Sequence, residues 1–263
     1  MSTLQQHRKK FVSLLSKVDY SRNLQEVFAD FCALGCYSLA LPFYRELAGK
    51  QLQPVFNRYD ETQLKLLDEA FTVMVNALEE TNEDFLGDIF QEIGLSNDRL
   101  GQFFTPFPIS EMLAKMSAGD IKEQLKEKHW LGVNDPACGS GGMLIAFRKV
   151  MIEQGCNPSR DAFFVGQDVS DIAFKMCYIQ LSLYGVGGKV VHGNTLSMEI
   201  WTELHTPIWF LTDWPVRWAL RDMMDMMRGD KKDTETSEPS IMPAPVTDAV
   251  SMKGTPGEQL SFF

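Results

Sequence analysis

The sequence predicts an α/β protein, with a helical domain over residues 1–100 followed by a parallel sheet over 101–228. Three observations carry that prediction. Apolar residues in the first hundred positions recur at helical spacing. After residue 130, short apolar runs alternate with helical stretches, and strands separated by helices pair in parallel. Between the two, Val133-Asn134-Asp135-Pro136-Ala137-Cys138-Gly139-Ser140-Gly141-Gly142-Met143-Leu144 reads as a strand turning into a helix through a loop nearly devoid of side chains.

In chain order, Leu4 to about Ala48 is helical, with His7, Arg8, Lys9, Lys10, Lys17 and Arg22 on its polar side. This basic face is either solvated or a phosphate contact. Ser21 is the expected N-cap of a helix running through Cys36. Leu64, Leu67, Phe71, Met74 and Leu78 form a core-facing helical stripe. Between Asp60 and Glu92 stand ten acidic residues against one basic residue, Lys65, a segment that is either an ordinary solvated face or a surface that repels or imitates DNA. Leu100-Gly101-Gln102-Phe103-Phe104-Thr105-Pro106-Phe107-Pro108 is an aromatic loop closed by prolines, expected to plug the core or line a pocket. Helices are expected at Ile109–Met116 and Ile121–Lys128.

Strands are expected at Trp130–Val133, Phe163–Gln167, Lys189–His192 and Trp209–Thr212. Met143–Val150 forms a helix, and Ser170 caps another that runs to Tyr184. Ligands of parallel sheets sit at the carboxyl ends of strands, where Asp135, Asp168 and Asn194 all fall. The helix start behind the glycine loop favours an anionic group such as a carboxylate, and Asp135 suits a positive one. Asp168 is either a ribose-gripping acid or an acid favoured by a helix N-terminus.

Composition narrows the function classes. A net charge of -10 and a pI near 4.9 argue against a protein that coats nucleic acid indiscriminately, leaving a local basic patch as the only route to it. Cys32, Cys36, Cys138, Cys156 and Cys177 show no metal-ligand spacing, and an odd number of cysteines among apolar neighbours implies reduced, packed thiols, no metal and a cytoplasmic protein. No stretch approaches the roughly 20 apolar residues of a spanning helix, so no membrane is expected. From Gly229 onward the composition predicts disorder, broken by Gln259-Leu260-Ser261-Phe262-Phe263, a short peptide suited to a groove.

Leu144 stands where a dinucleotide-binding loop has its third glycine, which argues against NAD. Gly101-Gln102-Phe103-Phe104-Thr105-Pro106, Asp135-Pro136-Ala137-Cys138-Gly139-Ser140-Gly141-Gly142, Gly166-Gln167-Asp168 and Gly193-Asn194-Thr195-Leu196, in that order, resemble DNA adenine methyltransferases, above all modification subunits of type I restriction systems. The resemblance implies a truncated Rossmann-like methyltransferase sheet and S-adenosylmethionine as cofactor. Phe104, Thr105 and Pro106, with Asp135, Ala137, Cys138, Gly139 and Gly141, would hold its methionine part. Asp168 would take its ribose hydroxyls and Asn194 its adenine amine.

The family's catalytic Asn/Asp-Pro-Pro-aromatic motif aligns with Asp213-Trp214-Pro215-Val216, so the resemblance gives Asp213 and Pro215 the target amine and Trp214 the stacking on a flipped base. Trp214 replaces a proline there and Val216 the aromatic. One helical stretch, Arg217 to about Met227, follows, so the last strands of the family's sheet and its target-recognition domain are expected from a partner chain such as a restriction-modification subunit. The activity implied is N6-adenine methylation of DNA, and the alternative is a degenerate decoy or regulator that binds restriction partners. The terminal Gln259–Phe263 resembles the peptide that docks replication proteins on the sliding clamp.

Overall fold

The structure, a computed structural model, describes residues 3–94 and 105–228. Leu100–Phe104, the tail and its terminal Gln259–Phe263 peptide lie outside the described residues. The helical half comprises α1 (Thr3–Val18), α2 (Leu24–Ala40), α3 (Arg45–Phe56), α4 (Glu61–Thr81) and α5 (Phe85–Glu92). The α4 stripe faces inward as its spacing demands, with Leu67, Phe71, Met74 and Leu78 buried behind an Asp60–Gln63 capping box. Helix α2 begins two residues later than expected. The Asn23 side chain accepts the Glu26 N–H at 2.8 Å, whereas the Ser21 hydroxyl is spent on Asp19 at 2.6 Å.

The sheet half follows as α6 (Phe107–Ala118), α7 (Ile121–Glu127), β1 (Leu131–Asp135), α8 (Gly142–Glu153), α9 (Pro158–Asp161), β2 (Ala162–Asp168), α10 (Asp171–Leu183), β3 (Gly188–Asn194), β4 (Glu199–His205), α11 (Pro207–Leu211) and α12 (Trp214–Arg228). The strand order is β1-β2-β3-β4. β1–β2 and β2–β3 are parallel, as expected, but β4 returns antiparallel on β3, so the sheet is mixed. Two sequence readings are thereby corrected. Glu199–His205 is a strand that the sequence reading passed over, and Trp209–Thr212 is not a strand. Pro207 opens a short helix there, and the Trp209 N–H bonds the Thr206 carbonyl at 3.0 Å.

A single apolar cluster runs from Phe11 on α1 through Phe28 and Phe31 on α2 to Ile179 on α10 and Leu204 on β4, so helices α1–α5 and the sheet share one core. Residues 3–215 belong to one compact body, and 216–228 of α12 to another. Within α12, Arg221 lies over the Trp218 ring at 4.1 Å. Alternation along β2 assigns its two faces. Phe164 meets Phe147 of α8, while Phe163 meets Trp130, Trp209 and Trp214 on the other side. No described helix is long and apolar enough to cross a membrane. All five cysteines are free thiols, and Cys32, Cys36, Cys138 and Cys177 are buried.

Trp214 is 0% exposed, and its indole N–H donates to the Ser159 carbonyl at 2.8 Å. Replacing it by alanine removes the largest fully buried side chain. Trp214→Ala is expected to lower unfolding free energy by about 3 kcal/mol or more, read as a fall in the urea midpoint, whereas Trp201→Ala at a half-exposed position should cost less than about 1 kcal/mol.

Candidate functional site

The carboxyl ends of β1, β2 and β3 are drawn together by hydrogen bonds between the loops that leave them. After β1, Asp135 turns the chain by accepting the Ala137 N–H at 3.1 Å. The Cys138 N–H then bonds the Gln167 carbonyl on β2 at 2.9 Å. The Gly139 N–H donates to the Asp168 carboxylate at 2.9 Å, and the other oxygen of Asp168 accepts the Ser170 N–H at 2.8 Å. The Thr195 hydroxyl donates to the Pro136 carbonyl at 2.7 Å, which fixes the turn after β3 against the turn after β1. Asp135, Ala137, Gly139, Asp168 and Asn194 are therefore gathered at one edge. Gly139 and Gly141 have φ of 55° and 95°, so the loop follows a path that side chains resist. Gly139 and Gly141 are buried, and the open side of the loop is presented by Asp135, Pro136 and Ala137.

Burial raises the pKa of Asp135, and the neighbouring Asp168 carboxylate adds to the rise, opposed only by the Ala137 N–H. Two carboxylates facing one edge favour a ligand with positive charge and hydroxyl donors. An S-adenosylmethionine molecule carries both, in its sulfonium and ammonium groups and its ribose, so the residues present fit the cofactor implied by the resemblance. The Asn194 side-chain oxygen accepts the Leu196 and Ser197 N–H groups at 2.9 and 3.3 Å, which leaves its amide N–H groups as what the side chain can offer a ligand.

Three expectations are changed by the geometry. The acidic group at the start of α8 belongs to the chain itself. The carboxylate of Asp84 accepts the Ser140 hydroxyl and the Gln180 side-chain amide, the latter at 2.8 Å, and a Cβ on Gly142 would stand 2.9 Å from it. The Cys138 side chain points inward, where Gly166 leaves room for its sulfur and that of Cys177. The hydrogen bond with Cys177, and then burial, raise the pKa of the Cys138 thiol, so Cys138 contributes its backbone to the loop and its protonated side chain to the core.

The third change concerns Asp213, Trp214 and Pro215, which lie at the opposite end of the strands. Trp214 packs against Trp130 and Phe163 near the beginnings of β1 and β2, with ring centroids 5.4 and 5.2 Å away. The seven residues of β2 separate that end from Asp168 by about 20 Å. Asp213 is exposed between α11 and α12. A fully buried Trp214 offers no face to a flipped base. The aromatic near the carboxyl edge is instead Trp201 of β4, 50% exposed, with its ring 4.8 Å from that of His192.

Thr105 and Pro106 are exposed and lead into α6, which runs parallel to α8 through the Glu111–Lys149 and Lys115–Glu153 ion pairs at 3.1 and 3.3 Å. The end of α6 that carries them is thus the end level with the start of α8. Phe104 lies outside the described residues. Asp84 and Gln180 were missed by sequence reasoning. A sequence signal for Asp84 exists, an acid two residues before the apolar Leu86 in a cap position, but nothing in the sequence connects it to Ser140.

Residues 81–215 match the family model described as N-6 DNA Methylase. A methylase subunit of a type I restriction enzyme, MpnII, from Mycoplasma pneumoniae is 27% identical over 150 residues, covering 53% of this chain and 25% of that protein. The chain thus spans about a quarter of the length of that relative. Among solved structures, a class I S-adenosylmethionine-dependent methyltransferase described as putative, from Listeria monocytogenes, matches with a TM-score of 0.44 and 14% identity, over 73% of this chain and 55% of that one. A modification subunit of a type I restriction enzyme, also so described, from Vibrio vulnificus matches with a TM-score of 0.32 and 17% identity, over 56% and 28%.

The raised pKa of Asp135 has a definite sign in stability. Its folded value lies above its unfolded one, so ionisation disfavours the folded state once the pH rises above the ordinary carboxylate range, and below that range the cost is absent. Asp135→Asn is expected to raise the melting temperature of the ligand-free protein at pH 7 and to leave it unchanged near pH 3, measured by calorimetry.

Proposed function

This chain belongs to the N-6 DNA methylase family, and on that premise we propose that it holds S-adenosylmethionine at the edge formed by Asp135, Ala137, Asp168 and Asn194, for methylation of adenine N6 in DNA. The observation that carries the reading is the convergence of three polar strand ends on one small-residue loop. When bound, S-adenosylmethionine supplies an activated methyl group on a sulfonium centre. The chain's own residues bind and orient. Asp168 takes the ribose hydroxyls with the lone pairs that Gly139 and Ser170 leave free, as the acid ending a second strand does in such sheets. Asp135 stands on the cationic side, with Thr105 and Pro106 flanking the methionine part. Asn194 faces the cofactor's adenine, but because its side-chain oxygen is taken by Leu196 and Ser197 it meets the ring nitrogens through its amide N–H groups in place of the exocyclic amine.

Orienting a target amine takes an oxygen acceptor beside the methyl group, and a flipped base takes a flat apolar partner. Asp213, Trp214 and Pro215 stand too far from the loop to supply either. The proposed enzyme therefore draws those groups from outside the described residues or from another chain, with restriction-modification subunits and DNA as its partners. The burial of Trp214 favours one second reading, a subunit that holds the cofactor and its partners without turnover.

Two measurements separate these readings. Calorimetric titration with S-adenosylmethionine should show one site, weakened at least about ten-fold by Asp168→Ala through loss of charged hydrogen bonds. Radiolabelled methyl transfer to DNA should appear when modification partners are added, and Asp213→Ala should leave it within about two-fold of wild type. Absence of cofactor binding sinks both readings. Binding with no transfer in any combination selects the second.

A further inference from the structure

We propose that Asp84, the residue before α5, is the positioning residue that holds the glycine loop in its ligand-binding shape, a role that rests on the cofactor reading above. Asp84 is 5% exposed, and its carboxylate collects three donors from three parts of the chain. These are the Ser140 hydroxyl in the loop, the Gln180 amide on α10 at 2.8 Å and the Gly87 N–H on α5 at 2.9 Å. Gln180 completes the cluster. Its amide also donates to the Ser140 carbonyl at 2.9 Å, and its carbonyl accepts the Leu86 N–H at 3.1 Å. Ser140 is thus held at both its hydroxyl and its carbonyl from the core side, while Asp168 holds the adjoining Gly139 N–H from the ligand side.

A helix cap alone would not require this arrangement. Capping α5 takes one oxygen, which Ser or Asn would supply as well. The second oxygen of Asp84 goes to the loop, and an amide in its place could hold Ser140 only through a weaker neutral bond of reversed direction, with the hydroxyl turned to accept. Gly87 and Gly142 fit the same demand, since a Cβ at either position would crowd the carboxylate. The position of Asp84 at the start of α8 adds the favourable field of the helix end.

The test compares wild type, Asp84→Asn, Ser140→Ala and the double variant in two ways. Calorimetry reads S-adenosylmethionine affinity, and amide exchange without cofactor reads the mobility of residues 138–142. Each single variant should bind about ten-fold more weakly. The double variant should be no worse than about two-fold below Asp84→Asn, because the two side chains act as one unit. Exchange should quicken at 138–142 while α1, α4 and β2 keep their protection. Wild-type affinity in Asp84→Asn, losses that multiply in the double variant, or exchange that rises throughout the chain would each overturn the role. Should Asp84→Asn fail to fold, Ser140→Ala carries the same two readouts. Should wild type bind no cofactor, the cofactor reading fails, and the exchange arm still decides whether Asp84 fixes the loop.

Discussion

The glycine loop can reach the strand ends only because side chains are missing where it passes under α10. A Cβ on Gly141 would stand 3.1 Å from the Cys177 sulfur, and one on Gly166 would stand 3.1 Å from the sulfurs of both Cys138 and Cys177 and from Leu144. Two of these residues are on the loop, one is on β2 and one is on each of two helices. Close approach at this point lets the Cys138 and Gly139 N–H groups reach Gln167 and Asp168, which in turn sets the distance between Asp135 and Asp168. Interiors packed to this density do not absorb an added methyl without backbone movement. The geometry of the polar edge is thus decided by an apolar contact on its far side.

Charge is divided between the two sides of that loop in opposite ways. Asp84 is buried, and burial raises its pKa, while hydrogen bonds from Gln180, Ser140 and Gly87 pull it back toward ionisation. Asp135 has one backbone N–H to offset its burial and its neighbour's charge. The inner carboxylate is satisfied by the protein; the outer pair is left to be satisfied by a ligand. Such incomplete satisfaction at a partly buried edge costs stability in the free protein and is the usual condition of a binding site.

The first three strands, their parallel pairing and the residues at their ends were legible because apolar runs, a Ser170 cap and the small-residue loop all agreed on them. What the sequence concealed followed from contacts distant along the chain. β4 went unread because Asn194 folds its own side chain back on Leu196 and Ser197 to reverse the chain, and a turn of that kind resembles the loop of a parallel unit until its direction is known. Trp209–Thr212 has the residues of a strand, yet Thr206 and Pro207 start a helix, and Phe210 finds its place stacked 4.5 Å from Phe43. Tertiary contact overrode local preference there. Asp84 and Gln180, 96 positions apart, meet only in the folded chain.

The displacement of Trp214 separates two requirements that an adenine methyltransferase normally places together. Holding the cofactor needs the carboxyl edge; acting on a base needs an acceptor and an aromatic within reach of it. Here Asp135, Asp168 and Asn194 are gathered at that edge, whereas the aromatic that aligns with the catalytic motif closes the other end of the sheet. It sits among Trp130 and Phe163, with its N–H satisfied by Ser159 and with Gly187 left bare to admit its ring. A buried indole with its donor paired is a packing solution, and exposing it would forfeit both terms. Any route to methyl transfer therefore brings the missing groups to the cofactor edge, and Trp214 stays where the fold needs it.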